Sequence, residues 1–85
     1  MTYTIVIPKN VQKQLDILPS DRYDRIDTKI QQLAKNPRLD GVVKMKGSEN
    51  EYRIRIGNYR VLYEINDKNL TILLLQCKHR RDIYR

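Results

Sequence analysis

The stretch Tyr52-Arg53-Ile54-Arg55-Ile56-Gly57-Asn58-Tyr59-Arg60-Val61-Leu62-Tyr63-Glu64-Ile65 reads as a β-hairpin that gathers its arginines on one face. Two alternating segments flank a Gly-Asn pair, a strong short-range signal for a two-residue turn. With that pair as the loop, Ile56 opposes Tyr59, Arg55 opposes Arg60, Ile54 opposes Val61 and Arg53 opposes Leu62. The period of two then sends Tyr52, Ile54, Ile56, Tyr59, Val61 and Tyr63 to one face and Arg53, Arg55 and Arg60 to the other. Like charges directly opposite one another destabilise a sheet. A chain that sets Arg55 across from Arg60 makes most sense if an anion comes to sit between them. The planar fork of arginine suits phosphate in particular, so the pattern points to nucleic acid.

Outward from the hairpin, the segments arrange themselves into an α+β pattern. Tyr3-Thr4-Ile5-Val6-Ile7 is a β-rich segment stopped by Pro8, which cannot extend a ladder inside a sheet. Val11, Leu15 and Leu18 recur at helical spacing up to Pro19. Ser20 reads as the N-cap of a second, longer helix with Asp21, Asp24 and Asp27 in its early turns and an apolar stripe of Tyr23, Ile26, Ile30 and Leu33. Asn36-Pro37 ends it. Gly41 to Met45 is a short strand, Gly47 to Asn50 a loop, and Asn66-Asp67-Lys68-Asn69 turn chemistry. Leu70 to Cys77 is an apolar run expected to form a central or near-central strand beside Tyr59 to Ile65. Its end then delivers the tail, Lys78 to Arg85, next to Arg60. The expected fold is a small antiparallel β-sheet in the order β-α-α-β-β-β-β with a two-helix hairpin packed on one face.

Size and charge narrow the class. Eighty-five residues, with no linker, repeat or low-complexity run, make one expected domain over residues 1–85. The net charge of +7 favours anionic partners. It is unevenly spread: residues 1–42 carry 7 Lys/Arg against 5 Asp/Glu, and residues 43–85 carry 10 against 5. The excess therefore lies in the β-rich half and the tail. Cys77 is a lone cysteine, which excludes a disulfide framework or thiolate cluster, and its apolar setting reads as structural. The start has neither a basic n-region nor a long apolar stretch, and no run is long enough to span a bilayer, so the expected location is cytoplasmic and no membrane partner is expected.

The sequence offers no paired-carboxylate site, Gly-rich phosphate loop, Ser-His-Asp set or metal-ligand spacing. No metal or other cofactor is expected. What remains is Arg53, Arg55, Arg60, Lys78, His79, Arg80, Arg81 and Tyr84, a set suited to binding phosphate and stabilising transition-state charge. RNA carries its own nucleophile in the 2′-hydroxyl, so a metal-free nuclease needs only positioning, cations and proton transfer. His79 is a histidine, the side-chain type best suited to moving a proton at neutral pH, and Tyr84 offers a stacking face or a hydroxyl. On residue types alone, other readings stay open: His79 a solvated tail residue, Tyr84 a core-packing ring, the arginines a solvated face.

The chain resembles the RelE toxins of the RelE/ParE superfamily. The resemblance is carried by Tyr3-Thr4-Ile5, Leu15 to Pro19, Asn36-Pro37-Arg38, the Tyr52 to Ile65 hairpin and His79-Arg80-Arg81-Asp82-Ile83-Tyr84-Arg85. It implies a toxin of a type II toxin–antitoxin system that cleaves messenger RNA in the ribosomal A site. It also implies neutralisation by a cognate antitoxin protein, and contact with promoter DNA only through the antitoxin complex. By resemblance, the family's basic pair falls on Arg53 and Arg55, its phosphate-stabilising arginine on Arg60, its basic tail residue on Arg80 and its stacking or proton-transfer tyrosine on Tyr84. His79 joins these as a candidate for proton transfer, with Lys44, Lys46, Lys78, Arg81 and Arg85 as surrounding RNA-phosphate contacts. The best-studied members have lysines where this chain has Arg53 and Arg55. Arginine is practically never deprotonated, so a lysine-as-base role does not transfer. Two further readings on the same fold are a ParE-like toxin that inhibits DNA gyrase by protein contact, and a degenerate toxin acting only through its antitoxin complex.

Overall fold

The computed structural model describes residues 2–83. Its elements run β1 (Thr4–Val6), α1 (Lys9–Asp16), α2 (Ser20–Lys35), β2 (Val43–Lys44), β3 (Glu51–Ile56), β4 (Tyr59–Asn66), β5 (Thr71–His79) and the short α3 (Arg80–Ile83). The strands form one sheet in the order β1-β5-β4-β3-β2.

The hairpin at β3–β4 has the register dictated by its alternation: Ile56 faces Tyr59, Arg55 faces Arg60, Ile54 faces Val61 and Arg53 faces Leu62. Gly57 sits at φ +60, a conformation glycine reaches without the Cβ penalty, as the first turn residue requires. On one face Tyr52, Ile54, Ile56, Val61, Tyr63 and Ile65 meet Val11 and Leu15 of α1 and Ile26, Ile30 and Leu33 of α2. Both helices therefore cover the same side, because each presents one apolar stripe. Tyr63 is fully buried at the centre, and its hydroxyl donates to the Pro37 carbonyl at 2.7 Å, so the polar tip of a large core ring is satisfied.

Two expectations need correction. The sheet is mixed, not wholly antiparallel, since β1 lies parallel to β5 with Ile5 opposite Ile72. No tight turn joins these two strands, so nothing local fixes their relative direction, and the helical hairpin intervenes between them. Ser20 is the first helical residue and not the cap. Pro19, in extended conformation, occupies the cap position, and its carbonyl accepts the Tyr23 N–H at 2.9 Å. The tail, without period in sequence, turns into α3 directly from β5.

One irregularity sets the phase of β5. Leu62 faces Gln76 while Tyr63 faces Leu74, so Leu75 is a bulged residue without a cross-strand partner. The inward positions change from even-numbered (Ile72, Leu74) to odd-numbered (Cys77) as the chain passes the bulge.

Candidate functional site

The face of the sheet away from α1 and α2 carries a row of cations. Arg55 of β3 faces Arg60 of β4, and Arg60 faces Lys78 of β5. Directly opposite residues in an antiparallel pair have Cα atoms about 4.5–5.5 Å apart, so three cationic stems rise side by side from three bonded strands. Arg60 occupies the middle position and is half-buried, with one guanidinium nitrogen shielded from solvent. Arg55 is exposed and Lys78 half-buried. Arg53 stands one row away, between Val43 and Leu62 in register, and is half-buried. At the far end of the same face Glu51 opposes Glu64. The face thus runs from an acidic end to a basic end over a few residues of strand.

The hairpin tip and the tail are joined by backbone. The Arg80 N–H donates to the Asn58 carbonyl at 2.7 Å, which starts α3 beside the basic end of the sheet. Arg80 and Arg81 are exposed there.

His79 does not join the arginines. It faces Tyr59, on the helix side of the sheet, with ring centroids 5.1 Å apart in an edge-on arrangement. Its Nδ1 accepts the Arg81 N–H at 3.2 Å, so the imidazole caps the start of α3. The bulge at Leu75 is the reason. Unbroken alternation from Ile72 and Leu74 would bring His79 to the arginine face; the extra residue turns Cys77 and His79 inward and Lys78 outward. Lys44 also misses that face, since the β2 register sets Val43 against Arg53 and Lys44 against Tyr52. Lys46 follows Met45, whose N–H bonds to the Glu51 carbonyl at 2.9 Å, at the acidic end of the sheet. The residues assigned as Tyr84 and Arg85 lie outside the described residues.

The opposite end of the sheet is tied by a polar clasp. The Tyr3 hydroxyl donates to Asp67 Oδ1 at 2.6 Å, and Arg38 reaches Asp67 at 2.8 Å and stacks over the Tyr52 ring at 5.4 Å. The Arg38 guanidinium and the Tyr3 hydroxyl together hold the Asp67 carboxyl below its ordinary range. Burial pushes the Tyr63 hydroxyl well above its own. Burial likewise pushes the Cys77 thiol up to about 11, which keeps it protonated and inert at neutral pH. The Gln14 side chain accepts the Cys77 N–H at 2.7 Å, closing the part of the β5 edge that β1 does not reach.

Sequence reasoning passed over Arg22, Arg25 and Lys29 of α2, which line cavities at the hairpin tip together with Gly57 and Arg55. Their i, i+3, i+7 spacing was the available signal; it was masked by the aspartates interleaved on the same helix.

Chemically, the arginine face can grip a phosphate between planar forks and stabilise added negative charge on it. Rigid strands hold the donors, so little reorganisation is needed when charge develops.

Comparison with known proteins agrees with this architecture. Residues 5–84 match the family described as the ParE toxin of the type II toxin–antitoxin system parDE. Toxin RelE3 of Methanocaldococcus jannaschii is 33% identical over 84 residues, covering 94% of this chain and 93% of that protein. The RelE–RelB complex of Pyrococcus horikoshii contains a chain that superposes with a TM-score of 0.84 at 36% identity, covering 94% of this chain and 97% of that one. The RelB–RelE complex of Methanococcus jannaschii contains one at 0.75 and 33% identity, covering 93% and 94%. The chain therefore belongs to the RelE/ParE superfamily of type II toxin–antitoxin toxins, as a RelE-type member.

Proposed function

We propose that this toxin is an endoribonuclease that cuts messenger RNA in the ribosomal A site and so stops translation in the cytoplasm. The observation that carries the reading is the row Arg55–Arg60–Lys78 on the helix-free face of the sheet. In the proposed step the substrate's 2′-oxygen attacks the adjacent phosphorus as the bond to the 5′-oxygen breaks, leaving a 2′,3′-cyclic phosphate and a 5′-hydroxyl. The 2′-hydroxyl proton passes to water and the 5′-oxygen takes one from water. Arg60, central and partly buried, meets the charge that builds on the phosphoryl oxygens; Arg55 and Arg53 neutralise and orient the phosphate. Arg80 hydrogen-bonds the leaving oxygen without giving up a proton, and Tyr84 stacks on a base. His79 holds the start of α3 instead of acting on the substrate. The fold acts as a single domain across residues 1–85.

A RelB-like antitoxin is the proposed partner, because two similar proteins have been solved in complex with RelB. A short acidic protein would complement the +7 charge, and promoter DNA would be met only through that complex. A second reading, gyrase inhibition by protein contact, is favoured by the ParE description of the matching family. No helix among the described residues is long and apolar enough to cross a membrane.

Mapping of cellular mRNA 5′ ends after brief induction tests the assignment. New ends inside translated codons support the nuclease. Intact transcripts accompanied by DNA damage would replace it with the gyrase reading.

A further inference from the structure

Two cavities flank the hairpin tip on its α2 side, of about 420 Å³ and about 430 Å³, and they share Arg25, Ile56 and Gly57. The first extends past Arg22 to the Gly57–Tyr59 turn, and the second past Lys29 to Arg55. Together they make one groove between a helix and the end of a strand. Arg22, Arg25 and Lys29 project into it from a single stripe of α2, whereas Asp24 and Asp27 lie outside both cavities. One carboxylate, Asp21, lies at the groove's outer end. Arg25 lies over the turn: a Cβ on Gly57 would stand 3.5 Å from its Nη1. Among the described residues the carboxylate ion pair is Arg38–Asp67, at the other end of the sheet, so Arg22, Arg25, Lys29 and Arg55 keep their charge for a ligand. The strand edge beside the groove is also open: β2 pairs with Tyr52 and Arg53 and stops short of Ile54–Ile56.

Arg55 belongs to both surfaces. It faces Arg60 in the cationic row and lines the second cavity. We infer that the groove between α2 and the hairpin tip is a second binding site for the phosphate backbone of RNA, continuous through Arg55 with the cationic row. A strand leaving the row crosses the edge of β3 and follows the α2 stripe. Spaced cations with few apolar anchors fit a polyanion better than an amphipathic peptide, which needs a row of hydrophobic pockets. The inference rests on RNA as the proposed ligand, but not on its cleavage.

Binding of a short fluorescein-labelled single-stranded oligoribonucleotide tests it, followed by anisotropy against salt in an Arg60→Ala background so that the probe stays intact. Losing two phosphate contacts in Arg25→Gln/Lys29→Gln should shrink the slope of log affinity against log salt by about 1.4, or about tenfold in affinity near 0.15 M salt. Lys9→Gln/Lys13→Gln, which removes equal charge from α1, should leave both unchanged. Arg22→Gln, at an exposed position, gives an independent reading with a slope change of about 0.7 should the double variant fold poorly. An unchanged slope in the α2 variants overturns the inference. So does an equal loss in the α1 control, which would mean bulk charge alone. Unchanged RNA binding with weakened binding of a polyglutamate peptide would hand the groove to an acidic protein segment. The cleavage reading stands or falls separately, on the 5′-end map of the wild-type toxin.

Discussion

Arg55 and Arg60 are direct cross-strand partners on the face of the sheet that α1 and α2 leave uncovered. Like charges set opposite one another work against folding unless compensated, and they suit an anion between them, so removing either charge should separate the two effects.

Replacing Arg60 with Ala should slow single-turnover cleavage on programmed ribosomes by about 2–4 kcal/mol in barrier, the range for loss of an oxyanion-type donor. Ribosome affinity should fall less, because the other cations still supply nonspecific attraction. Wild-type cleavage once bound would reduce the arginine face to an electrostatic dock.

Arg55→Thr removes the like-charge contact and adds a β-former. Urea unfolding should show the free protein stabilised by about 0.2–1 kcal/mol while cleavage declines. Reduced stability would show that the two guanidinium groups are already compensated in the free protein.

His79→Ala should loosen α3 and not alter the proton chemistry. Trypsin should cut after Arg80 and Arg81 faster in the variant, and His79→Asn should restore protection because an Asn side chain can also cap. The pH profile of cleavage should keep its shape. A profile that flattens near neutrality in His79→Ala would return the imidazole to the reaction.

Asp67→Asn tests the clasp through pH. Asp67 has a depressed folded pKa, so its contribution is present above the unfolded value of about 4 and disappears as pH falls through the lower folded value. The variant should melt below the wild type at neutral pH, and the two curves should converge in acid. A gap that persists at the lowest pH would assign the effect to packing against Tyr3 and Arg38.

Cys77 should resist alkylation in the native protein at pH 8, since its thiol is buried and raised to about 11. It should react readily in denaturant. Rapid native labelling, followed by mass, would show that β5 opens at its C-terminal end.

The hairpin was fully legible because every residue from Tyr52 to Tyr63 obeys one period and the turn residues permit one register. The helical hairpin was legible from its apolar stripes. The direction of β1 was not, since three residues without a tight connection carry no orientation signal. Nor was the phase of β5: Ile72, Leu73, Leu74 and Leu75 are all apolar, so alternation is absent where the bulge occurs. That gap is why the side of the sheet taken by His79 could not be read. The cationic face was therefore readable where strands alternate, at Arg53, Arg55 and Arg60, and unreadable past the bulge, at Lys78 and His79.

Leu75 gives the sheet a spare residue. Since it lacks a partner, its removal would leave Leu62 against Gln76 and Tyr63 against Leu74, with each ladder pair intact. What would change is curvature, because a bulge bends its strand and deepens the local twist. Chain length at this single position is thus a handle on the angle at which Lys78 and Arg80 leave the sheet. Relatives that differ by one residue here would keep the same cations and core yet present them to a substrate along a different arc.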